Sequence, residues 1–227
     1  MLEVPVPPFF RILFYTLVGL ALIAAGWEVA ARLMDNPTRL PAMIVVVNKA
    51  ITLAQSADYI RHATDSGTAL LYGLLPAVIG GILLGMMADA SAGIRLLVGP
   101  LAITLGAAPL VALLPMFVAW WGLTIVMKAG LVGVVAGFPV MNAVMVAAGE
   151  KSRTVAILHG LRLGVVLGVS ALIVAEFVAG SRGVGYVIMS SASMFDTTTT
   201  LAGIVLVTVP TIAVAALLQA IEAQVGD

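Results

Sequence analysis

The chain has 227 residues, of which 62% are hydrophobic and only 10% are charged, and its formal net charge is zero. A soluble domain has about 25% charged residues. This composition, with a mean hydropathy of +1.16, therefore excludes an ordinary soluble domain. The sequence has no basic run, which excludes nucleic-acid binding. It has no cysteine, which excludes a disulfide framework, a thiolate metal site and a cysteine nucleophile.

Six windows reach the length of about 20 apolar residues that a transmembrane helix requires. They predict an all-α, polytopic membrane protein with a single transmembrane domain over residues 1–227. The first window has the alternative of a signal peptide, but it lacks a small-residue cleavage site and its length favours a retained helix. The expected spans are 12–31, 68–88, 94–119, 123–148, 154–179 and 200–221.

Two connections, 32–67 and 180–199, are long enough to hold structure or partners. An odd number of spans precedes each, so we expect both on the same side of the membrane. Within the first, residues 41–54 have helical periodicity and predict a short interfacial helix. Residues 120–122, Trp-Trp-Gly, predict a tight hairpin between spans three and four. The density of Lys and Arg in the short loops predicts cytoplasmic termini.

Four charged residues, Glu28, Lys128, Arg162 and Glu176, lie inside predicted spans. A charge in lipid is costly, so each is a candidate for a translocation pathway or gate. Glu28, Lys128 and Glu176 are expected near the outer ends of their spans, at a shared depth. Simple pairing of Lys128 with either carboxylate is the competing interpretation. Arg162 is expected near the inner surface, where contact with lipid phosphate is favoured over an anionic substrate or the preceding loop.

Gly160, Gly164 and Gly168 form one stripe on the predicted fifth span, which indicates helix packing or a subunit interface.

We expect no metal site and no cofactor, because His62 and His159 are too few and too far apart for a metal cluster. His62 is expected in an exposed polar loop. Neither histidine has a Ser or Asp partner in register, so we predict no catalytic residue. The phosphate-binding pattern GxxxxGK[ST] does not occur either.

Several short motifs follow the prolines of the predicted third span in a fixed order. They are FVAWWGL (117–123), FPVMNAVMVAAG (138–149), GLRLG (160–164), AEF (175–177) and GVGYVI (183–188). Together they closely resemble the permease subunits of binding-protein-dependent ABC importers, of the branch that handles nitrate, taurine, alkanesulfonates and bicarbonate. The resemblance covers nearly the whole chain.

This resemblance implies a permease-type fold in a bacterial inner membrane. It also implies that the chain is not an enzyme, since ATP hydrolysis would reside in a separate subunit. The implied partners are an ATP-binding subunit, a second permease subunit and a periplasmic solute-binding protein, which would dock on the connections at 32–67 and 180–199.

One segment departs from that family. There, the inner loop between spans four and five carries the EAA motif, a helix-turn-helix that docks into the ATPase subunit. In this chain the corresponding residues lead almost directly into the fifth span, and so few residues cannot form a docking helix pair. The short loop calls the contact with the ATP-binding subunit into question. The remnant of the motif consists of Gly149, Glu150, Lys151, Ser152 and Arg153.

Three functions are compatible with these features. In the favoured one, the chain is half of a heterodimeric permease whose partner supplies the coupling helix, and Lys128 and Arg162 favour a small anionic solute. In the second, a diverged permease without ATPase coupling serves as a structural or regulatory membrane component. The third is an ion-coupled secondary transporter. It would need acidic residues near the middle of the bilayer, whereas Glu28 and Glu176 lie near the ends of their spans.

Overall fold

The structure is a computed structural model that describes residues 8–107, 110–147, 150–179 and 181–226. Every element in these ranges is helical. Five of the helices, α1, α3, α6, α7 and α9, are long and apolar enough to cross a membrane. This confirms the predicted all-α membrane fold. The helices are α1 (Pro8–Met34), α2 (Met43–Ala54), α3 (Ala57–Ala90), α4 (Ala92–Ala107), α5 (Leu114–Trp121), α6 (Ile125–Met145), α7 (Glu150–Ala179), α8 (Val184–Ser193) and α9 (Thr197–Gly226).

The expected third span, 94–119, is not one continuous helix. Its residues fall on α4, a single 3-10 turn at Leu110–Leu113, and α5. Pro115 lies in the first turn of α5, where the missing N–H is tolerated, whereas within a continuous helix it would break a hydrogen bond. The hairpin after this segment is present, because α5 ends at Trp121 and Gly122 adopts a φ of 62° that favours glycine.

The two long connections hold more helix than the sequence predicts. α3 begins at Ala57, about three turns before the expected start of the second span, because Ser56 caps it by accepting a hydrogen bond from the Tyr59 N–H (3.2 Å). His62 therefore lies on a helix and not in a loop. The connection at 180–199 is not a loop throughout, since it contains α8. The short helix expected at 41–54 is α2.

Small residues bring α3 against α6. At four-residue spacing, α3 buries Ala69, Gly73, Ala77, Gly81 and Gly85. A Cβ atom at Gly73 would lie 2.5 Å from the carbonyl oxygen of Ala129, and one at Gly85 would lie 2.8 Å from that of Met141. The two backbones can approach this closely only because the stripe has so little side-chain volume.

The glycine stripe of α7 packs against a neighbouring face of α6, which shares Val132 and Val140 with the α3 contact. A Cβ atom at Gly160 would lie 2.8 Å from the Cα of Val140, and one at Gly164 would lie 3.0 Å from the carbonyl oxygen of Ala136. At Gly168 the same atom would have ordinary contacts of 3.4 Å with Ala136. The stripe therefore packs against a helix of the same chain, and α6 is the centre of the bundle.

Candidate functional site: a buried ion pair at the start of helix 8

A fully buried carboxylate, that of Glu176 near the end of α7, organises one end of the bundle. The Lys128 ammonium on α6 lies 3.3 Å from one of its oxygens. The Ser66 hydroxyl on α3 lies 2.7 and 2.9 Å from the two oxygens. Both partners are also buried. This arrangement, which we call the Glu176 cluster, joins three transmembrane helices through one carboxylate.

The same side chains hold the first turn of α8. Three successive backbone N–H groups donate to three different side chains: Gly183 to Nδ1 of His62 (3.1 Å), Val184 to Oγ of Ser66 (2.8 Å) and Gly185 to Oε2 of Glu176 (2.9 Å). The first N–H groups of a helix have no partner within the helix. An anionic acceptor at that position is also favoured by the helix dipole.

Lys128 completes this arrangement from the other side of the peptide chain. Its ammonium donates to the carbonyl oxygen of Arg182 (2.6 Å), directly before the three captured N–H groups. The chain here must approach the carboxylate closely. Gly183 has a φ of 121°, and a Cβ atom on it would collide with the carboxylate of Glu176. At Gly185 a Cβ atom would lie 2.7 Å from the Cβ of Glu176. The glycines at 183 and 185 are therefore required by the packing.

The structure brings together only two of the four predicted charged residues. Lys128 pairs with Glu176, one of the two pairings that the sequence allows. Glu28 lies elsewhere, because its carboxylate accepts from Arg32 (3.1 Å) and from the backbone N–H of Met43 (3.1 Å). It ties the end of α1 to the start of α2 and does not share a cluster with Lys128. Of the two pairings open to Lys128, the structure therefore has the one with Glu176.

Arg162 has a protein partner where we expected lipid phosphate. Its Nε lies 3.4 Å from Oε2 of Glu222 on α9, and its Nη2 lies 3.0 Å from Nδ1 of His159. These two atoms do not form a hydrogen bond with each other, and neither has a hydrogen-bond partner among the described residues. The contact is an ion pair that links α7 to α9.

A second charged cluster closes the opposite end of the bundle. The Asp89 carboxylate at the end of α3 accepts from Arg95 on α4 (3.0 Å) and from Arg153 on α7 (2.8 Å). Arg95 also donates to the carbonyl oxygens of Ala88 (3.2 Å) and Met145 (3.3 Å), near the ends of α3 and α6. We call this group the Asp89 clamp. Of the remnant of the coupling loop, Gly149 and the side chains of residues 150–152 lie outside the described residues.

The two clusters are separated by the thickness of a bilayer core. Ser66 and Asp89 lie about 34 Å apart along α3, and Arg153 and Glu176 lie about 34 Å apart along α7, at the α-helical rise of about 1.5 Å per residue. A hydrocarbon core is about 30 Å thick. Each cluster therefore lies near one membrane boundary, which we call the Glu176 end and the Asp89 end.

Sequence reasoning missed the serine and histidine of this site. His62 and Ser66 are one helical turn apart, so they share a face once α3 begins at Ala57. Hydropathy predicts that this helix starts at residue 68, so it places His62 and Ser66 before the helix and not on one of its faces. Asp89 and Glu222 were missed as partners because both lie at helix ends, where a charge is unremarkable.

These observations define a multi-pass helical membrane protein with charged clusters at both boundaries, an architecture that suits a permease. No family model matches the chain. The chain is similar to the taurine transport system permease protein of Escherichia coli (strain K12), with 27% identity over 218 residues that cover 83% of this chain and 79% of the relative.

Two further relatives have the same kind of name. A formylaminopyrimidine transport permease protein of Halalkalibacterium halodurans is 26% identical over 195 residues, covering 75% of this chain and 78% of the relative. A putative aliphatic sulfonates transport permease protein of Bacillus subtilis is 28% identical over 212 residues, covering 82% and 77%. The resemblance to importer permeases is confirmed, because all three of these relatives are transport permease proteins and the similarity extends over 75% or more of this chain.

Proposed function

We propose that this chain is one of two different permease subunits of an ABC importer and forms half of its translocation pathway. The observation that carries the proposal is the similarity to three transport permeases, each over more than three quarters of the relative's length. The solute is a small polar compound, of the kind that the relatives' names carry: taurine, a sulfonate or a pyrimidine. The location is a bacterial inner membrane.

The short connection between α6 and α7 supports the heterodimer. α6 ends at Met145 and α7 begins at Glu150, so only residues 146–149 join them, and these cannot form a helix pair. The alignment with the E. coli relative extends over 218 residues but covers 83% of the 227 residues here, which is about 188. About 30 residues of that relative thus have no counterpart in this chain, enough for a helix-turn-helix.

ATP-driven movement therefore enters through the second permease subunit, which supplies the docking helices. The Asp89 clamp makes this chain suited to follow its partner as a rigid body, because Arg95 and Arg153 hold the starts of α4 and α7 to the end of α3. We place the Asp89 end in the cytoplasm and the Glu176 end outside. The outer end then presents α2 and α8 to a solute-binding protein.

The Glu176 cluster is the gate in this proposal. Breaking a buried ion pair without new partners costs about 3 to 5 kcal/mol, so the cluster holds α8 closed until ATP binding by the complex supplies the energy. Lys128 and Arg162 are each already compensated by a carboxylate of the same chain, Glu176 and Glu222. For this reason the choice of solute does not rest on these two cations, and we assign it to the solute-binding protein.

The test is solute uptake by proteoliposomes that contain the complex purified through this chain, with its solute-binding protein added outside. Labelled taurine and ethanesulfonate serve as probes. We expect uptake of at least one probe with ATP inside the vesicles and none with ADP. Uptake that follows an ion gradient without ATP would contradict the proposal and favour a secondary transporter. A complex that contains no ATP-binding subunit would favour a structural or regulatory role.

A further inference from the structure

His62 binds α8 through a ring nitrogen that must be unprotonated. Nδ1 of His62 accepts the N–H of Gly183 at 3.1 Å, and an imidazole nitrogen accepts a hydrogen bond only through its lone pair. Addition of a proton at Nδ1 would place two hydrogens against each other. The contact therefore exists only in the neutral ring with its proton on Nε2, and this ring orients that proton toward Asp58, whose oxygen lies 3.7 Å from Nε2.

Protons can reach this ring from the aqueous side. The His62 side chain is 14% exposed and lines a polar cavity of about 450 Å³. Ser66 and Glu176, by contrast, are buried, with exposures of 7% and 0%, and do not line the cavity. Of the three acceptors at the start of α8, His62 is thus the one in contact with the cavity. Histidine is also the side chain that ordinarily changes charge between pH 5 and 8.

Charged groups from two segments lie near His62. On α3, Asp58, Arg61 and Asp65 line the same cavity. From the segment before α8, Arg182 also lines it. From α8 itself, the Tyr186 ring lies 5.6 Å away, centroid to centroid, and brings no charge at neutral pH. Deeper in the bundle, the Lys128 and Glu176 charges compensate each other.

We propose that His62 is a pH-sensitive latch on the start of α8: neutral His62 holds the α8 turn closed over the Glu176 cluster, and its protonation releases that turn. The inference rests on the proposed function, because it regulates the gate described there. Acidification of the compartment at the Glu176 end would then weaken one of three restraints on α8. The other two, from Ser66 and Glu176, keep the helix in place but leave it easier to open.

Distance measurements on the complete complex in lipid nanodiscs test this latch. The chain has no cysteine, so Ile60→Cys on α3 and Met189→Cys on α8 accept one spin label each, and both positions are exposed. Loss of one hydrogen bond changes the equilibrium constant between the closed and open positions of the α8 turn about fivefold. We therefore expect the population with a longer label-to-label distance to rise about fivefold between pH 8 and pH 5.

Two variants separate the latch from other effects of acid. His62→Asn keeps an acceptor near the Nδ1 position but cannot titrate, so its distance distribution should not respond to pH. His62→Phe removes the acceptor and should give the raised open population at both pH values. An equal response to pH in the wild-type chain and in His62→Asn would overturn the latch. The measurement needs neither ATP nor solute, so a failed latch leaves the transport proposal intact, and failed transport leaves the latch intact.

Discussion

Glu176 shows how one residue can have two structural roles that its charge alone does not reveal. It compensates Lys128, and it also accepts the Gly185 N–H at the start of α8. Lys128 also has two partners, since its ammonium donates to Glu176 and to the Arg182 carbonyl oxygen. Each member of the pair therefore faces a backbone group of the opposite polarity, and the two side chains are not interchangeable.

Charge reversal at Lys128 is expected to abolish uptake and to destabilise the chain by about 3 kcal/mol or more, because two carboxylates would then face each other in a buried site. Thermal unfolding of the purified complex and vesicle uptake measure the two effects. If Lys128→Glu left both unchanged, neither the gate nor the structural pairing would survive.

The exchanged pair, Lys128→Glu with Glu176→Lys, serves as the control. It restores opposite charges but places an ammonium against the Gly185 N–H and a carboxylate against the Arg182 carbonyl oxygen. We therefore expect it to remain unstable and inactive. Full rescue would mean that only the charges matter and that the contacts with the start of α8 contribute little.

Of the residues in the Glu176 cluster, the sequence predicts Lys128 and Glu176. Charge inside apolar windows identified Lys128 and Glu176, and their shared depth made pairing one of two interpretations. The roles of Ser66 and His62 could not be predicted, because they depend on which backbone N–H groups the chain brings to α3. That contact joins residues more than 100 positions apart in sequence.

At the scale of the helices, close approach of backbones decides which substitutions are tolerated. Gly73→Ala places a Cβ atom 2.5 Å from a backbone oxygen of α6, so we expect destabilisation of about 2 kcal/mol from overpacking. Gly80 on the same helix has nothing within 4 Å, and Gly80→Ala should be neutral or slightly stabilising because alanine is the better helix former. Comparison of the melting temperatures of the two variants measures the difference. Equal melting temperatures would contradict the close α3–α6 contact.

The start of α9 has a cap outside the membrane-spanning segments. The Asp196 carboxylate accepts from the hydroxyl (2.6 Å) and the backbone N–H (3.0 Å) of Thr199. These two hydrogen bonds, with a smaller effect of Lys49, hold the pKa of Asp196 below its ordinary value. The charged cap therefore stabilises the fold above the ordinary aspartate pKa, and this contribution is lost as the pH falls through the lowered pKa.

Asp196→Ala should therefore cost about 1 kcal/mol at neutral pH, and its difference from the wild-type chain should shrink below about pH 4. Asp196→Asn keeps an acceptor without a titratable group, so its advantage over the alanine variant should not change with pH. Chemical unfolding at pH 7 and pH 3.5 measures these differences. A cost of Asp196→Ala that is the same at both values would contradict the charged cap.

The sequence predicts the helices that have a long apolar segment. It does not predict the helices whose bounds depend on contacts with other helices. The windows at 123–148, 154–179 and 200–221 predict α6, α7 and α9 closely. The region 94–119 is equally apolar, but its prolines divide it, and hydropathy does not register the break. α8 was missed because its Gly- and Ser-rich sequence is weakly helical, and its start is stabilised by side chains from α3 and α7.

The whole molecule is a helical bundle that is fastened at both membrane boundaries, and in our proposal only the Glu176 end opens when ATP binding supplies the energy. The Glu176 cluster fastens α3, α6, α7 and α8 at one end, and the Asp89 clamp fastens α3, α4, α6 and α7 at the other. Each cluster has a carboxylate shared between helices, that of Glu176 fully buried and that of Asp89 one quarter exposed, so each would resist separation of those helices. We propose that such a subunit follows the motion of a partner, since the four residues 146–149 between α6 and α7 are too few for a docking helix pair.

The subunit composition of the complex distinguishes a permease of two different subunits from one of two identical subunits. The chain would be tagged in its native host, purified in mild detergent and analysed by native mass spectrometry, followed by identification of each subunit. We expect one copy of this chain with one copy of a second permease that has a long loop between its fourth and fifth spans, together with ATP-binding subunits. A complex in which two copies of this chain bind the ATP-binding subunits, with no second permease, would contradict it.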